Sequence, residues 1–187
     1  MTAPNAIIEA LKQNQWDLIL GLIQNGCNVN CNDSEKNTPL HIAISDHEVQ
    51  FREPTFINER KLTIEKLIEA GADINARNKN GKTPLLRAIV IRPELVETLL
   101  KYNPDLNASD KWGKTPLMLS IDQNISRLLL SKGANIDLQD NQGNTALMNA
   151  ILDNRPTGVQ LLLIYSKANI FLENKKKETA LSIATKK

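Results

Sequence analysis

The chain has 187 residues, 41% of them hydrophobic and 24% charged, with 23 Lys and Arg against 21 Asp and Glu for a net charge of +2. That size suits one domain or one short repeat array, and the balance lacks the basic excess of a protein that grips nucleic-acid phosphates. Aromatic residues are only 4%, so Leu, Ile and Ala must fill the core through many small contacts.

The chain starts Met1-Thr2-Ala3-Pro4-Asn5, with neither a basic n-region nor an apolar run behind it. No stretch approaches the ~18 apolar residues of a membrane helix. A cytoplasmic location without membrane attachment is expected, or delivery to a host cell by a signal-less route. The first 33 residues are predicted to form an end unit whose second helix begins at Trp16, a packing residue. The unit closes on Gly26-Cys27-Asn28-Val29-Asn30. Cys27 and Cys31 are the only cysteines, and their spacing lacks the nearby His or Cys that would complete a zinc site. Two reduced thiols are expected.

Residues 34–78 open with Asn37-Thr38-Pro39-Leu40-His41-Ile42-Ala43 and end with Gly71-Ala72-Asp73-Ile74-Asn75-Ala76. Between them lies an insertion, about 46–58. Residues 46–54 are predicted to be a loop broken at Pro54. A second helix is predicted over about 55–70, with Ile57, Lys61, Ile64 and Ile68 on one face. Phe51 and Phe56 lie in the insertion; they either pack on their own unit or touch a partner. Asp46-His47-Glu48 is a run of ligand-type residues, but three in a row do not converge on one metal without an unusual turn.

The opening motif returns as Lys82-Thr83-Pro84-Leu85 in residues 79–110 and as Lys114-Thr115-Pro116-Leu117 in 111–140. It returns again as Thr145-Ala146-Leu147 in 141–174 and as Thr179-Ala180-Leu181 in 175–187. The closing motif recurs in step at Asn103-Pro104-Asp105, Gly133-Ala134-Asn135 and Lys167-Ala168-Asn169. Two motifs in phase along most of the chain define a repeat. Thr ahead of Pro places a hydroxyl at a helix start, where the missing N–H of Pro costs nothing. Gly at the end of the second helix supplies a left-handed stop. Asn80-Gly81 and Gln142-Gly143 turn the chain into the next unit. The basic run Lys175-Lys176-Lys177 is read as a solvated end.

These residues resemble the ankyrin repeat family, whose helix start reads TPLH and whose hairpin reads GADVNA. The resemblance covers roughly Asn5 to Ala184. It implies an all-α repeat fold, an ankyrin-type solenoid of helix-turn-helix units joined by β-hairpin loops, in a single domain over 1–187. Residues 1–33 would be the N-terminal cap and 175–187 the C-terminal cap. Only His41 keeps the motif's His, replaced elsewhere by Leu86, Met118, Met148 and Ser182. Modest stability, with fraying at the C-terminal end, is therefore expected.

The resemblance further implies a protein-binding surface made of hairpin tips and first helices. Carried over, the tip positions include Arg77, Lys79, Lys82, Lys111, Trp112 and Lys114, and the groove positions are Arg87, Leu119 and Asn149. Trp112 between two lysines has the composition of an interface anchor. The basic tips, with only Asp110 nearby, point to an acidic partner surface. No phosphate loop, HExxH or nucleophile elbow occurs, so no enzyme, metal or cofactor is expected. The function expected is a non-catalytic interaction module (an adaptor, an inhibitor or a host-directed effector), acting as a monomer. The alternative is a substrate of a separate enzyme, since Asn30, Asn75 and Asn107 each have Leu eight residues upstream, as in hairpin-Asn hydroxylation.

Overall fold

The computed structural model describes residues 5–45, 55–164 and 168–186. The predicted loop at 46–54, with Asp46, His47, Glu48 and Phe51, lies outside the described residues, as do Lys167 and Lys187. All secondary structure among the described residues is helical. The chain forms two compact bodies, residues 1–104 and 105–187.

In the first body, α1 (Ala6–Lys12) pairs with α2 (Trp16–Gln24), and α3 (Pro39–Ile44) with α4 (Thr55–Glu69). α5 (Pro84–Ile91) pairs with a 3-10 turn (Pro93–Leu95) that runs into α6 (Val96–Leu100). First helices stack on first helices, α1 on α3 on α5, and second helices on second helices, α2 on α4 on α6. None of these helices could bury its apolar stripe alone. Stacking covers Leu40, Ile64, Leu67, Leu85, Leu86, Leu95 and Leu99 completely.

α4 begins where Pro54 predicts. Its buried face, however, is Arg60, Thr63, Ile64 and Leu67, about one residue round from the predicted Ile57, Lys61, Ile64 and Ile68. The reason is the short helix beside it. α3 ends at Ile44 with carbonyls that no further turn can satisfy. The Arg60 guanidinium donates to the carbonyls of Ala43 and Ser45, both at 2.9 Å. The same guanidinium stacks over the Trp16 ring, 5.6 Å from its centroid. Trp16 thus begins its helix and packs as expected, against a cation.

In the second body, α7 (Pro116–Leu119) pairs with α8 (Gln123–Ser131), and α9 (Ala146–Leu152) with α10 (Pro156–Ile164). α11 (Ala180–Thr185) stacks on α9. The very short α7 stops at Ser120, and Arg155 donates to the Ser120 carbonyl at 3.0 Å. Here the arginine comes from the neighbouring helix pair, whereas in the first body Arg60 closes α3 from its own partner helix α4.

Candidate interaction surface

The connections between repeats are where exposed side chains gather, and one device builds them all. At Asp33, Asn78, Asp110, Asp140 and Asn174 the side-chain oxygen accepts the backbone N–H two and four residues on, at 2.8–3.1 Å. The N–H of each of these residues also donates to the carbonyl four residues on. An acceptor side chain of this length closes a turn that the backbone alone would leave to water. The third residue after it takes a positive φ: Lys36, Gly81, Gly113, Gly143 and Lys177. At Gly113 and Gly143 glycine is also required by space. A Cβ would sit 2.7 Å from the Asn141 nitrogen in one case and 2.8 Å from the Lys175 nitrogen in the other. These hairpins carry no strand among the described residues; they are turns joined by single rungs.

The rungs run from hairpin to hairpin within each body. The Lys79 N–H donates to the Glu35 carbonyl at 2.9 Å, the Asn141 N–H to Trp112 at 3.0 Å and the Lys175 N–H to Gln142 at 2.9 Å. Side chains reinforce them: Asn78 donates to Asn37 and Asn174 to Asn144, both at 2.9 Å.

The closing motif provides a second tie. The Asn30 side chain accepts from the Asp73 N–H at 2.8 Å and donates to the Gly71 carbonyl at 2.9 Å. The Asn107 side chain accepts from the Asn135 N–H at 2.9 Å, and Asp137 from the Asn169 N–H at 2.8 Å. Asn30 and Asn107, each with Leu eight residues upstream, are therefore engaged in holding the next repeat.

Trp112 stands on its hairpin tip with 52% of its surface exposed, and the Lys111 ammonium lies 4.5 Å from its ring centroid. Lys114 points elsewhere. Its Nζ lies 2.8 Å from the Asp140 carboxylate, whose side chain is buried, and donates to the Asn149 side chain at 2.7 Å. Asn149 is itself buried and donates to Asp140 at 3.1 Å. Burial alone would raise the Asp140 pKa. The Lys114 ammonium, the Asn149 amide and the turn N–H groups of Asn144 and Gln142 outweigh it and hold the carboxyl below its ordinary value. This network ties two repeats together, and Asp140, not Asp110, is the acid that meets Lys114. Asp110 is buried and accepts turn N–H groups.

In the first body, Lys79 pairs with Glu35 at 3.3 Å across one rung. Arg77 and Lys82 stand on the same hairpin, Lys82 half-buried. Arg87 is half-buried on α5 and donates to the Ser45 hydroxyl, which donates in turn to the His41 carbonyl. Leu119 is half-buried on α7, and Phe56 stands in the first turn of α4.

His41 is fully buried. Its Nδ1 faces the Thr38 hydroxyl at 2.9 Å, and its Nε2 faces the Lys82 carbonyl at 2.9 Å. Burial holds its pKa below the ordinary histidine value, with the Arg87 charge adding to the effect. At the other end of the chain, Ser182 partly substitutes for the missing histidine: its hydroxyl accepts the Thr179 N–H at 3.0 Å. Cys27 and Cys31 are both free thiols, raised by burial. Among the described residues no three His, Cys, Asp or Glu side chains group as metal ligands, and no helix is long and apolar enough to cross a membrane.

Stacked helix pairs with turn-built hairpins along one edge define a repeat protein of the helix-turn-helix kind. The family model for ankyrin repeats in three copies matches residues 6–110, 56–140 and 92–174, and the chain belongs to the ankyrin repeat family. It is 32% identical over 90 residues to Ankyrin repeat and SOCS box protein 6 of Mus musculus, covering 48% of this chain and 19% of that protein. It is 33% identical over 85 residues to the 2-5A-dependent ribonuclease of Homo sapiens, covering 45% of this chain and 10% of that protein. Over 79 residues it is 36% identical to Potassium channel KOR2 of Oryza sativa subsp. japonica, covering 42% of this chain and 9% of that protein. The chain matches about a fifth or less of the length of these relatives. Ankyrin repeats are in general non-catalytic modules that bind other proteins.

Proposed function

We propose that the chain is a monomeric, non-catalytic interaction module of the adaptor, inhibitor or effector kind, and that it binds a partner protein through its hairpin edge, with Trp112 as anchor. The observation that carries this reading is the half-exposed indole on a rigid turn. Its backbone is fixed by Asp110 on one side and Asn141 on the other, so ordering the ring on binding costs little entropy. Lys111 lies against one face of the ring, and the exposed remainder has the amphipathic character of an interface hot spot. Arg77, Lys82 and Lys79, the last paired with Glu35, stand on the corresponding edge of the first body, and an acidic partner surface complements the basic tips.

Trp112→Ala tests the reading. With the fold intact by circular dichroism, affinity for the partner is expected to fall by more than about 1 kcal/mol, roughly fivefold or more. Unchanged affinity removes Trp112 from the site. The hydroxylation-substrate reading is the weaker one, because Asn30 and Asn107 would have to give up their ties to the next repeat before an enzyme could take them.

A further inference from the structure

We infer that the lysine run at 175–177 is the far end of the Trp112 docking edge, and that this edge takes an extended acidic peptide. The inference rests on the binding role proposed for Trp112 and names the partner's chemistry.

The two rungs of the second body fix the geometry. Trp112 accepts from Asn141, and Gln142 accepts from Lys175. They hold three tip pairs in one row: Lys111-Trp112, Asn141-Gln142 and Lys175-Lys176. All six residues are exposed. Each turn is locked by its own Asp or Asn, so the row is a rigid edge and the lysines are its last station.

The charge of the row is one-sided. No tip position in it is acidic, and the nearest carboxylates are committed. Asp110 and Asp140 are buried under their turns, Asp140 with Lys114. Glu173 pairs with Lys177 at 3.5 Å, and Glu178, which also feels the Lys176 charge, pairs with Lys186 at 2.7 Å. The edge of the first body, built by the same device, has Glu35 at a tip and neutralises Lys79 with it. The second row therefore carries lysines at both ends, Lys111 against the indole and Lys175 with Lys176 at the other, with the Gln142 amide between them and the Asn141 amide tied to the Lys111 carbonyl.

One rung joins Trp112 to Asn141, one peptide unit joins Asn141 to Gln142, and one rung joins Gln142 to Lys175. With chain spacings of about 4.8 Å and a Cα step of about 3.8 Å, the Trp112 and Lys175 backbones stand about 13 Å apart, the reach of about four extended residues. A peptide with carboxylates about four residues apart meets both ends, and the Gln142 amide between them can pair with its backbone. Single-stranded nucleic acid fits less well. It needs successive aromatic platforms for successive bases, and the row has one indole.

The test is an NMR titration of the full chain with a Glu-rich peptide of about twelve residues carrying one central Leu, and in parallel with an oligothymidylate of the same length. The indole signal of Trp112 and the amides of residues 175–177 are expected to shift together on one isotherm. The double substitution Lys175→Glu, Lys176→Glu is expected to weaken the peptide at least tenfold at low salt with the fold unchanged. The inference is overturned if the peptide shifts Trp112 alone or neither region. It is also overturned if the double substitution leaves affinity unchanged, or if the oligothymidylate binds more tightly than the peptide. A natural partner that is weakened by Trp112→Ala but untouched by the double substitution overturns this inference and leaves the proposed function standing.

Discussion

The two bodies build the same hairpin from the same turn and use it differently. In residues 1–104 the polar groups of the repeat are spent inward. His41 joins Thr38 to the next hairpin through the Lys82 carbonyl, Arg60 closes α3, and Lys79 is neutralised by Glu35. In residues 105–187 no first helix has the histidine. An ion pair buried at its acid end, Lys114 with Asp140, ties two repeats instead, while the tips keep a half-exposed indole with Lys111 on its face and exposed lysines. In both bodies the positions that tie one repeat to the next are distinct from the positions exposed at the tips. The turn acid or amide and the first helix hold the stack, and the tip side chains stand exposed.

The largest expected effect tests the tie in the second body. Asp140→Ala removes the partner of Lys114 and Asn149 and the acceptor of two turn N–H groups together. It is expected to cost about 3 kcal/mol, seen as a lowered thermal midpoint and faster amide exchange in α9 and α11. A loss under 1 kcal/mol would mean that the network does not hold these repeats together.

A smaller effect separates strain from space. Gly113→Ala meets both a φ of +78° and the Asn141 backbone, and is expected to cost about 2–3 kcal/mol. Gly71→Ala, with a φ of +89° and open space around it, is expected to cost about 1 kcal/mol. Equal losses in urea unfolding would show that the contact between hairpins adds nothing.

The two ties are both lost on acidification, but in different pH ranges. His41 is a base whose folded pKa lies below its ordinary value of 6.5, so unfolded chains bind its proton first. Its contribution is present at neutral pH and declines as pH falls below about 6.5. Asp140 is an acid with a lowered folded pKa. Its contribution is present above the ordinary value of 3.8 and is lost only as pH falls through the lower folded value. Amide exchange in α3 is therefore expected to rise near pH 6, with α9 unaffected until well below pH 4. His41→Leu, the residue type standing at position 86, is expected to abolish the first step. Simultaneous loss in both helices would contradict the division.

Much of the fold was legible because repeats print their period in the sequence. The threonines at 38, 83, 115, 145 and 179 each precede a first helix, and Pro54 marked the start of α4. The buried face of α4 was misplaced because hydrophobic spacing takes no account of an arginine that must reach orphaned carbonyls. The Asp/Asn ladder at 33, 78, 110, 140 and 174 was present in the sequence and carried the turn chemistry, yet it is quieter than the Thr-Pro motif beside it. The Lys114–Asp140 pair was not legible at all, since its residues meet only once two repeats are stacked. At the far end, Ser182 takes up one hydrogen bond of the absent histidine, which simple matching to TPLH could not anticipate.

The most direct measurement of the central claim is the affinity of a captured partner for the intact chain and for Trp112→Ala, with Phe56→Ala alongside as a variant outside the hairpin edge. A loss of about fivefold or more is expected for Trp112→Ala and no change for Phe56→Ala. Unchanged affinity for Trp112→Ala, with the protein still folded, would contradict that claim.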